Sequence, residues 1–365
     1  MAKSSARWLA LGAACALLVA GCSSAPPTES SSESGPTESS SESAPATDDS
    51  EPCADPETYC VGLVLESGFV DDGAFNEAAW EGVRDGAIAT DAVVTYLEST
   101  DADSYAANLD DLGASAYDVV VTTGVDRPDL TVDAATAHPQ TRYIGISQDM
   151  SGGPANAIGL LFPDDEAGYL AGYLAGLMTQ TGTVGAVLGS ESVVPLKRFG
   201  EGYRLGALAA RPGTTVIMSY NNESTDSFND PEWGAAAAAE QIAGGADVIF
   251  GAGGTTGIAA LETVAQSPGA GTTLFCIGID VDQYETVPQA RPCLLSSAEK
   301  LITEGVSALV IDIHAGADVG QSVEGEVGLA PYHDMASQVP ESVKLRMAEI
   351  EAGLADGSIA TGVPL

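Results

Sequence analysis

From about residue 58 onward, hydrophobic positions fall in short runs separated by longer amphipathic stretches. Residues 61–65 form an apolar run that reads as a buried strand; past a polar loop, Ala79, Val83 and Ala87 recur at helical spacing. Strand patterns recur at 60–66, which contains that run, and at 93–97, 118–122, 142–147 and 157–162, with helical stretches between most of them. A second series follows at 184–188, 215–220, 247–251 and 274–280, with helices that include 166–180, 196–210 and 232–243. Such alternation predicts mainly parallel sheets covered on both faces, and two series predict two α/β lobes.

The first strand and helix frame the segment E-S-G-F-V-D-D-G-A-F-N-E-A-A-W-E-G-V, residues 66–83. In open α/β sheets ligands sit at the carboxyl ends of strands, so Phe75 and Asn76 fall where a ligand would be. Structural roles explain the same residues: Phe75 can fill the core and the aspartates can cap the helix.

The N-terminal pattern is different. Lys3 and Arg7 precede an apolar run over 8–20, too short to span a bilayer and shaped like a signal-peptide core. It ends in L-V-A-G-C, which resembles the bacterial lipobox and implies cleavage before Cys22, leaving 1–21 as signal peptide and a diacylglycerol on the Cys22 sulfur. An ordinary secretory signal with an incidental cysteine is the alternative. Residues 23–57 are Ser, Glu, Thr and Pro with little that is apolar, a solvated tether. About 35 such residues reach about 30 Å when flexible. The expected location is the extracytoplasmic face of a bacterial membrane.

Composition narrows the partners. With 45% hydrophobic residues the chain can bury a full core, while a formal net charge of −39 excludes a nucleic-acid binder and disfavours phosphate-rich ligands. A small neutral ligand fits better. Cys53, Cys60, Cys276 and Cys293 remain once Cys15 leaves with the signal and Cys22 takes lipid. In an oxidising compartment disulfides are favoured over a zinc site, and proximity favours Cys53 with Cys60 and Cys276 with Cys293.

The loop over 64–82 also resembles the opening motif of the basic membrane protein (BMP) family, substrate-binding lipoproteins of ABC importers that include purine nucleoside receptors. D-D-E-A-G-Y-L-A-G-Y-L-A-G-L-M-T-Q-T-G-T-V-G, P-L-K-R-F-G-E-G-Y-R-L-G-A, G-A-D-V-I-F-G-A-G-G-T-T-G, I-G-I-D-V-D-Q-Y and G-E-V-G-L-A-P-Y-H-D resemble further family segments, in the family's order. The resemblance implies a type I periplasmic-binding-protein fold, two Rossmann-like lobes with parallel sheets joined by three crossovers. It implies lobe 1 over 58–163 plus 287–323 and lobe 2 over 164–286 plus 324–365, with 293–315 in lobe 1. It further implies delivery of the ligand to ABC permease subunits; a monomer is the default for a receptor that must present both lobes to a transporter.

The site residues implied are Glu66, Ser67, Asp72, Phe75, Asn76, Phe199, Gly253, Gly254, Asp280 and Lys300. Phe75 and Phe199 match positions that sandwich a purine base; Phe199 taken alone reads as core. Asp280, at a strand end, matches the ribose position and can accept from two hydroxyls. Lys300, in S-S-A-E-K, is expected to touch the sugar and balance Asp280. Gly253 and Gly254 would let backbone approach the ligand, and Asn76 would donate to and accept from a purine edge. Departures bear on specificity: L-E-S-G replaces T-D-S-G, and D-D-G-A-F-N replaces D-D-K-S-F-N, which removes side-chain donors and leaves the base open.

A receptor for a sugar or another small polar metabolite is the alternative on this scaffold. A nucleoside-processing enzyme has less support. His138, His314 and His333 fall in separate segments without metal-ligand spacing, no G-x-S-x-G turn is present, and G-A-G-G-T-T-G misses the dinucleotide fingerprint by one position. Neither a metal nor a cofactor is expected.

Overall fold

A computed structural model describes residues 53, 55, 57–224 and 226–364. The signal segment, Cys22 and nearly all of the expected tether lie outside the described residues. Chain order opens with β1 (Cys60–Leu65), α1 (Phe75–Thr90), β2 (Val93–Glu98), α2 (Ala102–Ala114), β3 (Val119–Thr122), α3 (Pro128–Ala137), β4 (Arg142–Ile146) and β5 (Ala157–Leu161). Next come α4 (Asp164–Met178), β6 (Thr183–Leu188), α5 (Val194–Ala210), β7 (Thr215–Tyr220), α6 (Pro231–Ala243), β8 (Val248–Ala252), α7 (Gly254–Gln266), β9 (Phe275–Asp280), α8 (Gln283–Thr286) and β10 (Leu294–Lys300). The chain closes with α9 (Ile302–His314), β11 (Ser322–Glu324), β12 (Val327–Leu329) and α10 (Glu341–Ala355).

Two six-stranded sheets result, in the orders β11-β5-β4-β3-β1-β2 and β12-β10-β9-β8-β6-β7. Every pairing is parallel except β10 with β12. Central strands such as β1 are buried at every residue, which is why they read as continuous apolar runs. The chain passes between sheets three times: from β5 to β6, from β10 through α9 to β11, and from β11 to β12. All three passages converge near Phe162, Leu301 and Gly325, and a Cβ added at Gly325 would fall on the Phe162 ring.

Two sequence expectations are corrected. The resemblance implies lobe 1 for residues 287–300, yet β10 pairs in parallel with β9 inside the second sheet. The return to lobe 1 therefore starts at Leu301, where α9 leaves to pack on α1. The strand was hidden by its polar letters, Leu-Leu-Ser-Ser-Ala-Glu-Lys. Most of these find partners inside: Ser296 Oγ donates to Ala330 O at 2.7 Å, and Ser297 Oγ accepts from Gln283 N at 3.1 Å. The tether boundary also shifts, since Cys53 is already buried and bonded to Cys60 across a Cα separation of 5.9 Å, upstream of the expected limit at Glu57. Cys276 is bonded to Cys293, joining β9 to the start of β10.

In lobe 2, α4 and α5 pack through their backbones. Added Cβ atoms at Gly168 and Gly172 would fall on the carbonyl oxygens of Phe199 and Tyr203, and one at Gly206 on that of Tyr169. This contact seats Phe199 and holds α4, whose first turn carries Asp164, rigidly against it. We expect Gly172→Ala to cost about 2–3 kcal/mol, at the upper end of overpacking because a carbonyl rather than a side chain must move. An unchanged midpoint in urea unfolding would contradict that packing.

Candidate ligand-binding site

A cleft opens between the two lobes, lined from both sides. Lobe 1 contributes the β1–α1 and β3–α3 loops. Lobe 2 contributes the loops after β6, β7 and β8, and the ends of β9 and β10. All are carboxyl ends of parallel strands, as the topology requires. Glu66, Ser67, Asp72, Phe75, Asn76, Phe199, Gly253, Gly254, Asp280 and Lys300 all line this one cleft.

Its floor is a buried ion triad. Lys300 Nζ lies 3.3 Å from Asp164 Oδ1 and 3.4 Å from Asp280 Oδ1, with side chains only 6–7% exposed. The register places Asp280 opposite Glu299, so neighbouring strand ends bring Asp280 and Lys300 together; Asp164 arrives from the first turn of α4, just past the first passage between sheets. Burial acts against the Lys300 charge, but the two carboxylates outweigh it and raise its pKa. Both carboxyls are themselves raised, by desolvation first and against the pull of Lys300. Two acids share one ammonium, and Asp280 Oδ1 has no hydrogen bond beyond that ion-pair contact. Asp280 also adopts φ 67°, a left-handed conformation uncommon outside glycine. Asp280, short of donors at Oδ1 and in this uncommon backbone conformation, is one of the residues lining the cleft.

Aromatic rings surround the same ammonium. Its distances to the ring centroids of Phe75, Phe199 and Phe162 are 5.0, 5.3 and 5.8 Å. Phe199 is 1% exposed and stacks on Phe250 at 6.1 Å, so it is core and cleft wall at once. Phe75 is half-buried, as is Phe228, a lining residue that the sequence reading passed over. A usable signal existed: D-S-F-N over 226–229 repeats the Phe-Asn pair of D-G-A-F-N.

Three expected roles change in kind. Gly253 and Gly254 have φ values of 126° and 55°, and added Cβ atoms would meet Gly189 N at 2.8 Å and Phe228 O at 2.6 Å. They make room for the lobe's own backbone, which lets the loop carrying Phe228 sit on the start of α7. Asp72 caps α1: its carboxylate accepts from Ala74 N at 2.9 Å, Glu77 N at 3.1 Å and Asn76 N at 3.2 Å, while burial still pushes its pKa up to about 6. Asn76 Nδ2 donates to Ser67 O at 3.0 Å and Phe69 O at 3.2 Å, so both amide hydrogens brace the loop. Only its Oδ1 is left for a ligand.

Thr123, Val125, Val193, Pro195, Leu196, Asn229, Thr255 and Ile279 complete most of the lining and were not anticipated. Asp164 was also missed, because D-D-E at a helix start reads as ordinary capping. Among the described residues no group of three or more His, Cys, Asp or Glu could hold a metal ion, and no helix is long and apolar enough to cross a membrane.

The folded chain resembles solute receptors in structure and sequence. It superposes on an ABC transporter solute-binding protein from Aeropyrum pernix with a TM-score of 0.74 at 21% identity, covering 83% of this chain and 92% of that one. A CD4+ T-cell-stimulating antigen of Listeria monocytogenes is 27% identical over 82% of this chain and 87% of its own length. The ABC transporter nucleoside-binding protein BmpA of Lactococcus lactis is 28% identical over 60% of this chain and 63% of its own. Two lobes of largely parallel sheet joined by three crossovers constitute the type I periplasmic-binding-protein fold. Residues 60–310 match the Bmp family of PnrA-like ABC transporter substrate-binding proteins, and the chain belongs to that family of receptors rather than to an enzyme family.

Proposed function

We propose that this protein, anchored by lipid on Cys22, closes its lobes on a purine nucleoside and hands it to the permease of an ABC importer. The observation that carries this reading is the cleft floor: Asp280 Oδ1, buried and short of donors beside Lys300, lies in the same cleft as half-exposed rings from both lobes. A carboxylate of that kind suits a ribose diol, each charged hydrogen bond being worth about 1.5–3 kcal/mol. Phe75 and Phe228 suit the base, since stacking contributes about 1–3 kcal/mol and tolerates different bases. Phe199 then backs the site from the core. Glu66, Asp72, Asp164 and Asp280 against Lys300 leave the cleft acidic, which disfavours phosphorylated nucleotides. The name of the Lactococcus relative points the same way. Closure of the lobes about the three crossovers is the expected mechanism, with a monomer presenting both lobes to the permease.

The test is isothermal titration of the detergent-solubilised full chain, unfolded and refolded under oxidising conditions to strip carried-over ligand. Adenosine, guanosine, inosine, cytidine and ribose are the titrants. We expect purine nucleosides to bind and Phe75→Ala to weaken them about tenfold or more. Refolded protein that binds ribose but no nucleoside would favour the sugar-receptor reading. Release of free base from a bound nucleoside would mark an enzyme.

A further inference from the structure

The tip of the β1–α1 loop reaches across to lobe 2. Gly73 O accepts from Thr286 Oγ1 at 2.7 Å, and Gln283 Nε2 makes a longer contact with the same oxygen at 3.5 Å. A Cβ added at Gly73 would lie 3.3 Å from Val287 Cγ2 and 3.6 Å from Ile258 Cδ1, so the tip rests on α7 and on the end of α8. Its φ of 69° suits glycine without strain. Glycine in place of the lysine of D-D-K-S-F-N lets the tip sit flush on lobe 2. Each partner is braced by its own lobe. Gly73 N donates to Glu77 Oε2 at 3.0 Å, and the amides of Ala74, Asn76 and Glu77 are held by Asp72. Gln283 N donates to Ser297 Oγ at 3.1 Å, and Gln283 Oε1 accepts from Ile279 N at 3.0 Å. The contact therefore joins the loop carrying Asp72, Phe75 and Asn76 to the strand end carrying Ile279 and Asp280, all of which line the cleft.

Electrostatics oppose this contact. A second cavity, which Thr286 also lines, is bordered by Glu77, Glu81 and Glu304 from lobe 1 and by Asp282, Glu285 and Glu299 from lobe 2. Lys300 is the only basic residue in that lining, and Asp164 and Asp280 already engage it. Like charge on both lobes pushes them apart, so keeping them together requires a specific attraction. We propose that the Thr286 hydroxyl on the Gly73 carbonyl is a latch that holds the two lobes closed and slows the release of ligand. It deepens the receptor reading above and rests on its lobe closure, not on the identity of the ligand. Both sides of the latch are preorganised, so little conformational freedom is lost when it forms. One hydrogen bond of this kind shifts a two-state equilibrium about two- to tenfold, a bias that leaves the cleft able to reopen.

Nitroxide labels test this in the refolded full chain without added nucleoside. Phe69 and Val194 are each replaced by a keto amino acid that takes the label, which leaves the cysteines untouched. Both side chains are exposed, one on each lobe, next to the cleft-lining Gly68 and Val193. Double electron–electron resonance should show a short-distance population in the protein with native Thr286. Thr286→Val, which keeps the shape and removes the donor, should lower the short-to-long ratio about two- to tenfold, while Thr286→Ser, which keeps the donor, should preserve it. A ratio unchanged in a Thr286→Val protein that melts like the wild type overturns the latch. So does a Thr286→Ser ratio as low as that of Thr286→Val. Absence of a short-distance population with native Thr286 overturns it without recourse to any latch variant. Failure of nucleosides to bind in the titration overturns the nucleoside reading alone, because the distances are measured without them.

Discussion

Lys300→Met should destabilise the folded protein by about 3–5 kcal/mol at neutral pH, the cost of leaving buried charge without its partner. Asp164 and Asp280 would face each other's negative charge across the space the ammonium now fills, at 6–7% side-chain exposure. Water cannot screen them there. The pH dependence follows from the direction of the shifts. Both carboxyls already titrate above their ordinary value in the fold, and removing the cation raises them further. A folded-state pKa above the unfolded one means stability is present at low pH and is lost as pH rises through the interval between the two. The variant should therefore approach wild-type stability near pH 4 and fall behind above it. Urea unfolding at pH 4 and pH 7.5 checks this; a difference below about 1 kcal/mol at both pH values would show that the triad is not the electrostatic floor described here.

Asp280→Asn should do the opposite, sparing the fold while removing the ligand. Lys300 keeps Asp164 as its counter-charge at 3.3 Å, the net buried charge falls, and asparagine tolerates the left-handed conformation that Asp280 adopts. Stability should stay within about 1 kcal/mol of wild type or rise, as expected where a strained acceptor is retained for binding. Nucleoside affinity should fall about 10²- to 10⁴-fold, from two charged hydrogen bonds to a ribose. Calorimetric titration and urea unfolding of the same preparation separate the two effects. An affinity loss below about tenfold would remove Asp280 from the ribose role.

Which features the sequence disclosed follows from where burial is uniform. Strands such as β1 and β9 are apolar at nearly every position because helices cover both faces of the sheet, so their letters announce them. β10 is as deeply buried, but Ser296, Ser297 and Lys300 satisfy their polar groups through residues distant in the chain, and local periodicity cannot register that. The same limit hid the functional meaning of Asp164, whose partner lies 136 positions away. Phe228 sits in a polar loop with no strand or helix pattern to flag it. Gly253 and Gly254 were recognised as special, but a sequence does not say whether the body approaching a glycine is ligand or backbone. For Asn76 the residue type set the possible bonds, and only the fold decided that Ser67 and Phe69 take the donors.

Loops at the carboxyl ends of the strands supplied the site, and the triad at their base fixes its polarity. The most direct measurement is a crystal structure of the protein with a purine nucleoside bound. We expect closed lobes, the base between Phe75 and Phe228, and both ribose hydroxyls on the Asp280 carboxylate with Lys300 beside it. A nucleoside bound outside this cleft, or one whose ribose leaves Asp280 Oδ1 without a partner, would contradict the assignment.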